Sequence, residues 1–299
     1  MTLVGSSMAT SIGHPALELA DVTCTFVSPD DATQRYTAVG PTTLRVESGE
    51  FVSVVGPTGC GKSTLLNIGA GLLAPSSGAV RVFGLPLRGI NRRAGYMFQT
   101  EALMPWRSAI DNVMVGLQYR GLPDAQARPQ AQAWLERVGL GGFEDRYPHQ
   151  LSGGMRKRTA LAQVLALDPD IILMDEPFSA LDIQTRQLME NEVLQLWSAK
   201  KKAVLFITHD LDEAIAMSDR VVVLSAGPAT RPLGEFIIDL PRPRDVAEVR
   251  SQPRFVELHT QIWTVLRDEV LKGYTQQLTF MNLGDAPDDE RNSKVEVPG

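Results

Sequence analysis

The residues best suited to chemistry form one consecutive run, Gly56-Pro57-Thr58-Gly59-Cys60-Gly61-Lys62-Ser63-Thr64. Its spacing fits G-x-x-x-x-G-K-[ST], the P-loop pattern, with an apolar strand before it and a helix after it. Gly59 and Gly61 allow the backbone to fold tightly, so that its N–H groups face a β-phosphate. The helix N-terminus adds partial positive charge. Lys62 is placed to reach β- and γ-phosphates, and the Ser63 hydroxyl to hold Mg²⁺. Cys60 is read as a spacer, not a nucleophile. The pattern alone serves kinases, GTPases and motors alike.

A second constellation narrows the chemistry. Ile171-Ile-Leu-Met-Asp175-Glu176 is an apolar strand ending in two carboxylates. Asp175 is placed to bind Mg²⁺ as a Walker B acid, and Glu176 to point at an attacking water. A solvated turn would carry the same residues. A third motif, Leu151-Ser152-Gly153-Gly154-Met155, lies about 20 residues before that strand. Its glycines allow close backbone approach, and the following helix would present its positive end to an anion. In isolation Ser152 also reads as an ordinary helix N-cap.

In this order, P-loop, glycine-rich pentapeptide and acidic strand resemble the ATPases of ATP-binding-cassette (ABC) systems, over nearly the whole chain to about residue 270. The resemblance implies ATP and Mg²⁺ as cofactors. It matches Phe26 to the aromatic that stacks on adenine, with Tyr36 as a stand-in. Gln99 matches the glutamine that senses Mg²⁺ and links to a transmembrane partner. Ser179-Ala180-Leu181-Asp182 matches the D-loop, and His209 the switch histidine. It further implies a head-to-tail homodimer. Each ATP is then held by one chain's P-loop and the other's Leu151–Met155, with Glu176, His209 and Gln99 in catalytic roles. Ser63, Gln99 and Asp175 would attend the metal. Two departures stand out: Met155, where the family commonly has Gln, and Gln163, where it commonly has Arg.

These residues need a scaffold that brings distant segments together. Phe51–Val55, Ile171–Met174 and Ala203–Ile207 are short apolar runs, as expected of parallel strands covered on both faces. The expected fold is therefore α/β: a P-loop core with a mainly parallel sheet, an antiparallel β subdomain, and an α-helical signature subdomain. Strands are expected near 16–22 and 42–47, and helices over 62–70, 125–138, 155–167 and 183–200. The expected division is a flexible 1–15 and an ATPase domain over 16–254, with its helical part at about 102–167. A helical extension over 255–277, clearest at 255–271, and a disordered acidic tail over 278–299 follow.

Composition sets the outer limits. With 43% hydrophobic and 21% charged residues, the chain has an ordinary globular mix. A net charge of −6 argues against bulk nucleic acid as the main partner. Two cysteines suit a reducing compartment. No run approaches the ~20 apolar residues that span a bilayer, and no secretory signal opens the sequence. The expectation is a peripheral protein at the cytoplasmic face of the inner membrane, docked to integral-membrane permease subunits. Ala102-Leu-Met-Pro-Trp106-Arg107 and Ile238-Asp-Leu-Pro-Arg-Pro-Arg244 resemble segments of the nitrate, sulfonate and taurine importer ATPases. That resemblance implies a periplasmic solute-binding protein as an indirect partner. An exporter motor and a non-transport ABC ATPase are the alternatives.

Overall fold

The computed structural model describes residues 13–27, 33–179 and 181–284. Most of the expected flexible N-terminus, the tail from 285 and Ala180 lie outside the described residues.

Two sheets organise the chain. β1 (Leu17–Val27), β2 (Arg35–Val46), β4 (Ser77–Val82) and β5 (Leu85–Pro86) form an antiparallel sheet in the order β2-β1-β4-β5. The larger sheet contains β3 (Phe51–Val55), β6 (Ala94–Met97), β7 (Ile171–Asp175), β8 (Ala203–Ile207), β9 (Arg220–Leu224) and β10 (Pro232–Ile237). Its order is β10-β9-β3-β8-β7-β6, parallel throughout except for the edge strand β10.

The uninterrupted apolar runs follow from this arrangement. Side chains alternate along a strand, and both faces of the large sheet are covered. Phe51 and Val55 of β3 enter one core while Val52 and Val54 enter the other. Likewise Val204 and Phe206 of β8 oppose Ala203, Leu205 and Ile207. One core is closed by the antiparallel sheet and by Leu65, Leu66 and Ile68 of α1 (Lys62–Gly69). The other lies under α2 (Ala109–Tyr119), α3 (Asp124–Arg137), α4 (Gly153–Ala166), α5 (Ile183–Lys200), α6 (Leu211–Met217) and α7 (Pro253–Gly284). The first three of these occupy the predicted helical insertion.

The sequence did not announce β6 or β10. Ala94-Gly-Tyr-Met97 is too short and mixed to signal a strand, and β10 alternates between partly buried and exposed positions at an edge. Helix α7 runs further than expected, so residues 278–284 are helical rather than disordered. No proline interrupts Pro253–Gly284 after its first residue, and once nucleated a helix propagates at low cost.

The Pro-Arg-Pro-Arg segment has a structural role in holding α6. Arg244 is buried and donates to the carbonyls of Ile215, Ala216, Ser218, Ile238 and Leu240. Burial pulls its guanidinium down to about 10, with Arg242 adding to the effect. Arg242 pairs with Asp219 at 2.8 Å, donates to the Met217 carbonyl and lies 4.2 Å from the centre of the Trp197 ring. Together these cations meet the free carbonyls at the C-terminal end of α6.

Candidate nucleotide site

Parallel order places the C-terminal ends of β3, β7 and β8 side by side, where open α/β sheets bind ligands. The P-loop leaves β3 there. Gly59 and Gly61 have φ of +75° and +101°, and Gly61 caps α1. A Cβ at Gly61 would lie 3.2 Å from the Ala38 carbonyl oxygen, so glycine is required by both conformation and space. Lys62 is buried and donates to the Gly56 and Pro57 carbonyls, each at 2.9 Å. Those two carbonyls hold the ammonium over the loop, where an anion in the cleft would compete for it. The Cys60 side chain is buried, and burial pushes its thiol up, away from thiolate reactivity.

Three strand ends converge on one carboxylate. Glu176, immediately after β7, takes a left-handed φ of +43°, which costs energy for a residue with a Cβ. Its Oε2 accepts from Gln99 Nε2 at 3.1 Å and lies 3.1 Å from His209 Nδ1. Beside it, Ser63 Oγ donates to Asp175 Oδ1 at 3.0 Å. Burial pushes the Asp175 carboxyl up and the Glu176 charge adds to this, against the Ser63 hydrogen bond and the Lys62 charge. The Ser63 hydroxyl, Asp175 carboxylate and Gln99 amide are hard oxygen donors of the kind Mg²⁺ takes alongside phosphate. Thr58, Gly59, Gly61, Lys62, Ser63, Thr64, Gln99, Glu176 and His209 line a cleft of about 400 Å³.

Other predicted residues sit elsewhere. None of Leu151–Met155 lines that cleft. Ser152 caps α4, accepting from Met155 N–H at 3.2 Å, so the ordinary capping role is realised within the chain. Gly153 and Gly154 open the helix, and Leu151 is buried. In the D-loop, Ser179 Oγ donates to the Glu176 carbonyl, Leu181 is buried, and Asp182 caps α5 through Thr185 N–H. Phe26 and Tyr36 are register partners on β1 and β2, both about half exposed, and so share one face of the hairpin. Neither lines the phosphate cleft.

Three supporting residues were not singled out from sequence. Lys157 is buried in α4 and its ammonium donates to the Gln99 carbonyl. Burial lowers its pKa, opposed by the Glu101 charge. Its signal was helical spacing, since Lys157 shares a stripe with Leu161 and Val164. Arg186 bridges the segment before α5 and the start of α6: it donates to the Leu181 carbonyl at 3.2 Å and pairs with Asp210 at 3.3 Å and Glu213 at 3.5 Å. Asn112, fully buried, accepts from Met104 N–H and donates to the carbonyls of Met104, Arg107 and Ser108. That clamp fixes the loop from which Trp106 projects, 73% exposed.

Comparison with known proteins matches this geometry to one family. Residues 39–179 match the ABC transporter family model. An uncharacterised ABC transporter ATP-binding protein of Methanocaldococcus jannaschii is 48% identical over 239 residues, 80% of this chain and 87% of that protein. A taurine import ATP-binding protein of Yersinia pestis is 45% identical over 191 residues, 64% and 75% of the two chains. A nitrate import ATP-binding protein of Synechococcus elongatus is 38% identical over 264 residues, 87% and 95%. Among solved structures, a dimeric bacterial ABC transporter cassette is similar with a TM-score of 0.68 and 31% identity, covering 75% of this chain and all of that one. A dimeric cassette in a post-hydrolysis state with ADP and Pi gives 0.68 and 30%, with the same coverage. With most of its length aligned to such relatives, and with its P-loop, acidic strand and His209 gathered at the C-terminal ends of the neighbouring strands β3, β7 and β8, this chain belongs to the ATP-binding proteins of ABC transporters.

Proposed function

We propose that the chain is the ATP-hydrolysing subunit of an importer for a small anion or organic solute such as nitrate, a sulfonate or taurine. The observation that carries the hydrolytic part is Glu176, whose carboxylate is met by both Gln99 and His209 beside the P-loop. In this reading Glu176 takes the proton of the attacking water or positions it. His209 holds the γ-phosphate, and Lys62 exchanges the Gly56 and Pro57 carbonyls for β- and γ-oxygens. Ser63, Asp175 and Gln99 hold Mg²⁺, which supplies charge neutralisation at the phosphates when bound. Phe26, with Tyr36 opposite, offers an aromatic face for adenine.

The composite site needs a second copy. Ser152 lies away from its own phosphate cleft, and the dimeric cassettes with which the chain aligns support a sandwich of two. ATP closes the pair and hydrolysis reopens it, biasing the membrane subunits between two states. Trp106, held outward by the Asn112 clamp, suits a surface that receives a permease helix. No described helix is long and apolar enough to cross a membrane, so a docked peripheral position at the cytoplasmic face fits. Import, rather than export, is favoured by the similarity to nitrate and taurine import proteins, and a periplasmic binding protein would then deliver the solute.

The test uses Glu176→Gln. It should bind ATP with Mg²⁺ but turn over about 10³-fold more slowly, some 4 kcal/mol of barrier. A closed dimer should then accumulate and be visible by light scattering. Ser152→Arg in that background should abolish the dimer while leaving nucleotide affinity of the monomer nearly unchanged, whereas Lys62→Ala should lose both. A Glu176→Gln protein that stays monomeric in saturating ATP refutes the reading.

A further inference from the structure

A cavity of about 630 Å³ is lined by Gly56, Pro57 and Thr58 of the P-loop, by the segment from His209 to Asp212, and by α7. It shares Thr58 and His209 with the phosphate cleft, but its outer wall is α7. Two stripes run along that helix. Phe255, Leu258, Ile262 and Leu266 are buried in the core. Trp263, Val270 and Tyr274, at i, i+7 and i+11, line the cavity beside Leu266 and are 42%, 37% and 61% exposed. The wall is fixed to the P-loop: a Cβ on Gly273 would lie 3.1 Å from Pro57 Cβ, and Glu269 accepts from Ala226 N–H at 2.8 Å. So a groove with an apolar and aromatic wall on α7, faced by His209, Asp210 and Asp212, opens directly beside the P-loop.

A matching feature stands at the start of α5, whose Arg186 pairs with Asp210 on the groove wall at 3.3 Å. Ile183, the first residue of α5, is 69% exposed just after the D-loop. It belongs to the same surface as the Leu151–Met155 motif, because a Cβ on Gly154 would lie 3.4 Å from Thr185 and 3.7 Å from Leu181. Any partner that brings that motif to this chain's P-loop brings the start of its α5 with it. The groove is continuous with the P-loop through Pro57 and Thr58. We infer that in the ATP-closed dimer the groove between α7 and the P-loop receives the start of the partner's α5, with the partner's Ile183 seated against Trp263 and Tyr274. This assignment rests on the dimer reading above and extends its interface onto α7. A buried aromatic anchor of this kind dominates an interface out of proportion to its area.

The experiment uses the full chain in the Glu176→Gln background. Cys24 and Cys60 are both buried, so single cysteines introduced at the surface report their own contacts. Chains carrying Ile183→Cys and chains carrying Trp263→Cys are mixed and treated with a short bifunctional thiol reagent. A cross-linked dimer should appear in the mixture with ATP and Mg²⁺, and not without nucleotide. Pairing Ile183→Cys with Leu85→Cys, 70% exposed on the antiparallel sheet, is the control. Separately, Ile183→Ala and Trp263→Ala should each weaken ATP-dependent dimerisation about tenfold or more while leaving monomer nucleotide affinity unchanged. The assignment is overturned if light scattering shows the dimer but the mixture links no better than the control. It is equally overturned if Trp263→Cys chains link to each other as readily, since α7 would then meet α7. Absence of any ATP-dependent dimer is a different result: it removes the sandwich itself, and this contact with it.

Discussion

Arg186 ties the segment before α5 to the start of α6, and its removal should be costly in a pH-dependent way. Its side chain is 24% exposed, and its guanidinium faces Asp210 at 3.3 Å, Glu213 at 3.5 Å and the Leu181 carbonyl at 3.2 Å. Behind it lies Glu190, fully buried, whose nearest cation is Arg250 at 3.6 Å. Burial pushes Glu190 up to about 8, and the Glu213 charge adds to this. Burial also raises Glu213, against a hydrogen bond from Thr208 and the Arg186 charge. In Arg186→Ala both acids lose a compensating charge and their folded pKa values rise further. A raised folded pKa contributes stability at low pH that is lost as pH climbs through the folded value. The penalty of the substitution should therefore be smaller near pH 5 and grow towards pH 8 to 9, through the value of about 8 to which Glu190 is raised. Removing one partner of a buried ion pair costs about 3–5 kcal/mol. The partial exposure of Arg186 brings the expectation at pH 8 to about 2–4 kcal/mol. Urea denaturation at pH 5.5 and pH 8.5, with Arg186→Lys as the charge-retaining comparison, measures it. A penalty equal at the two pH values, or below about 1 kcal/mol at the higher one, would refute the electrostatic account.

Other perturbations test separate parts of the structure. Asn112→Ala removes three donated hydrogen bonds and one accepted, and should cost about 2–3 kcal/mol in chemical denaturation while raising mobility of the Trp106 loop in hydrogen exchange; unchanged exchange there would show that the loop is held otherwise. Trp106→Ala should lower permease-stimulated ATPase more than basal ATPase, and equal losses would count against a docking role. Arg244→Lys keeps the charge but strands several buried carbonyls, with an expected loss of about 2–4 kcal/mol, read as a lowered midpoint in urea. Ile262→Ala, on the buried stripe of α7, should cost about 2–4 kcal/mol; a negligible change would mean that α7 is not part of the cooperative core.

The sequence alone carried much of this protein because its chemistry is local. A phosphate cradle needs glycines, lysine and hydroxyls within a few bonds of one another, so Gly56–Thr64 could be read as a unit. The apolar runs of β3, β7 and β8 were legible for a similar reason: a parallel strand covered on both faces has no polar side to interrupt it. The edge strand β10 and short β6 lacked that signature, and the reach of α7 was missed because residues 278–284 were grouped with the acidic stretch that follows them. What sequence order could not supply was contact. Gln99, Glu176 and His209 lie on three separate segments, and only the β8-β7-β6 order brings their polar atoms to one carboxylate. Arg186, Lys157 and Asn112 looked like ordinary helix residues, since a side chain's partner across the fold leaves no trace in its neighbours along the chain. The docking of α7 beside Pro57 was likewise decided in three dimensions, because Gly273 has no side chain to keep the helix off the loop.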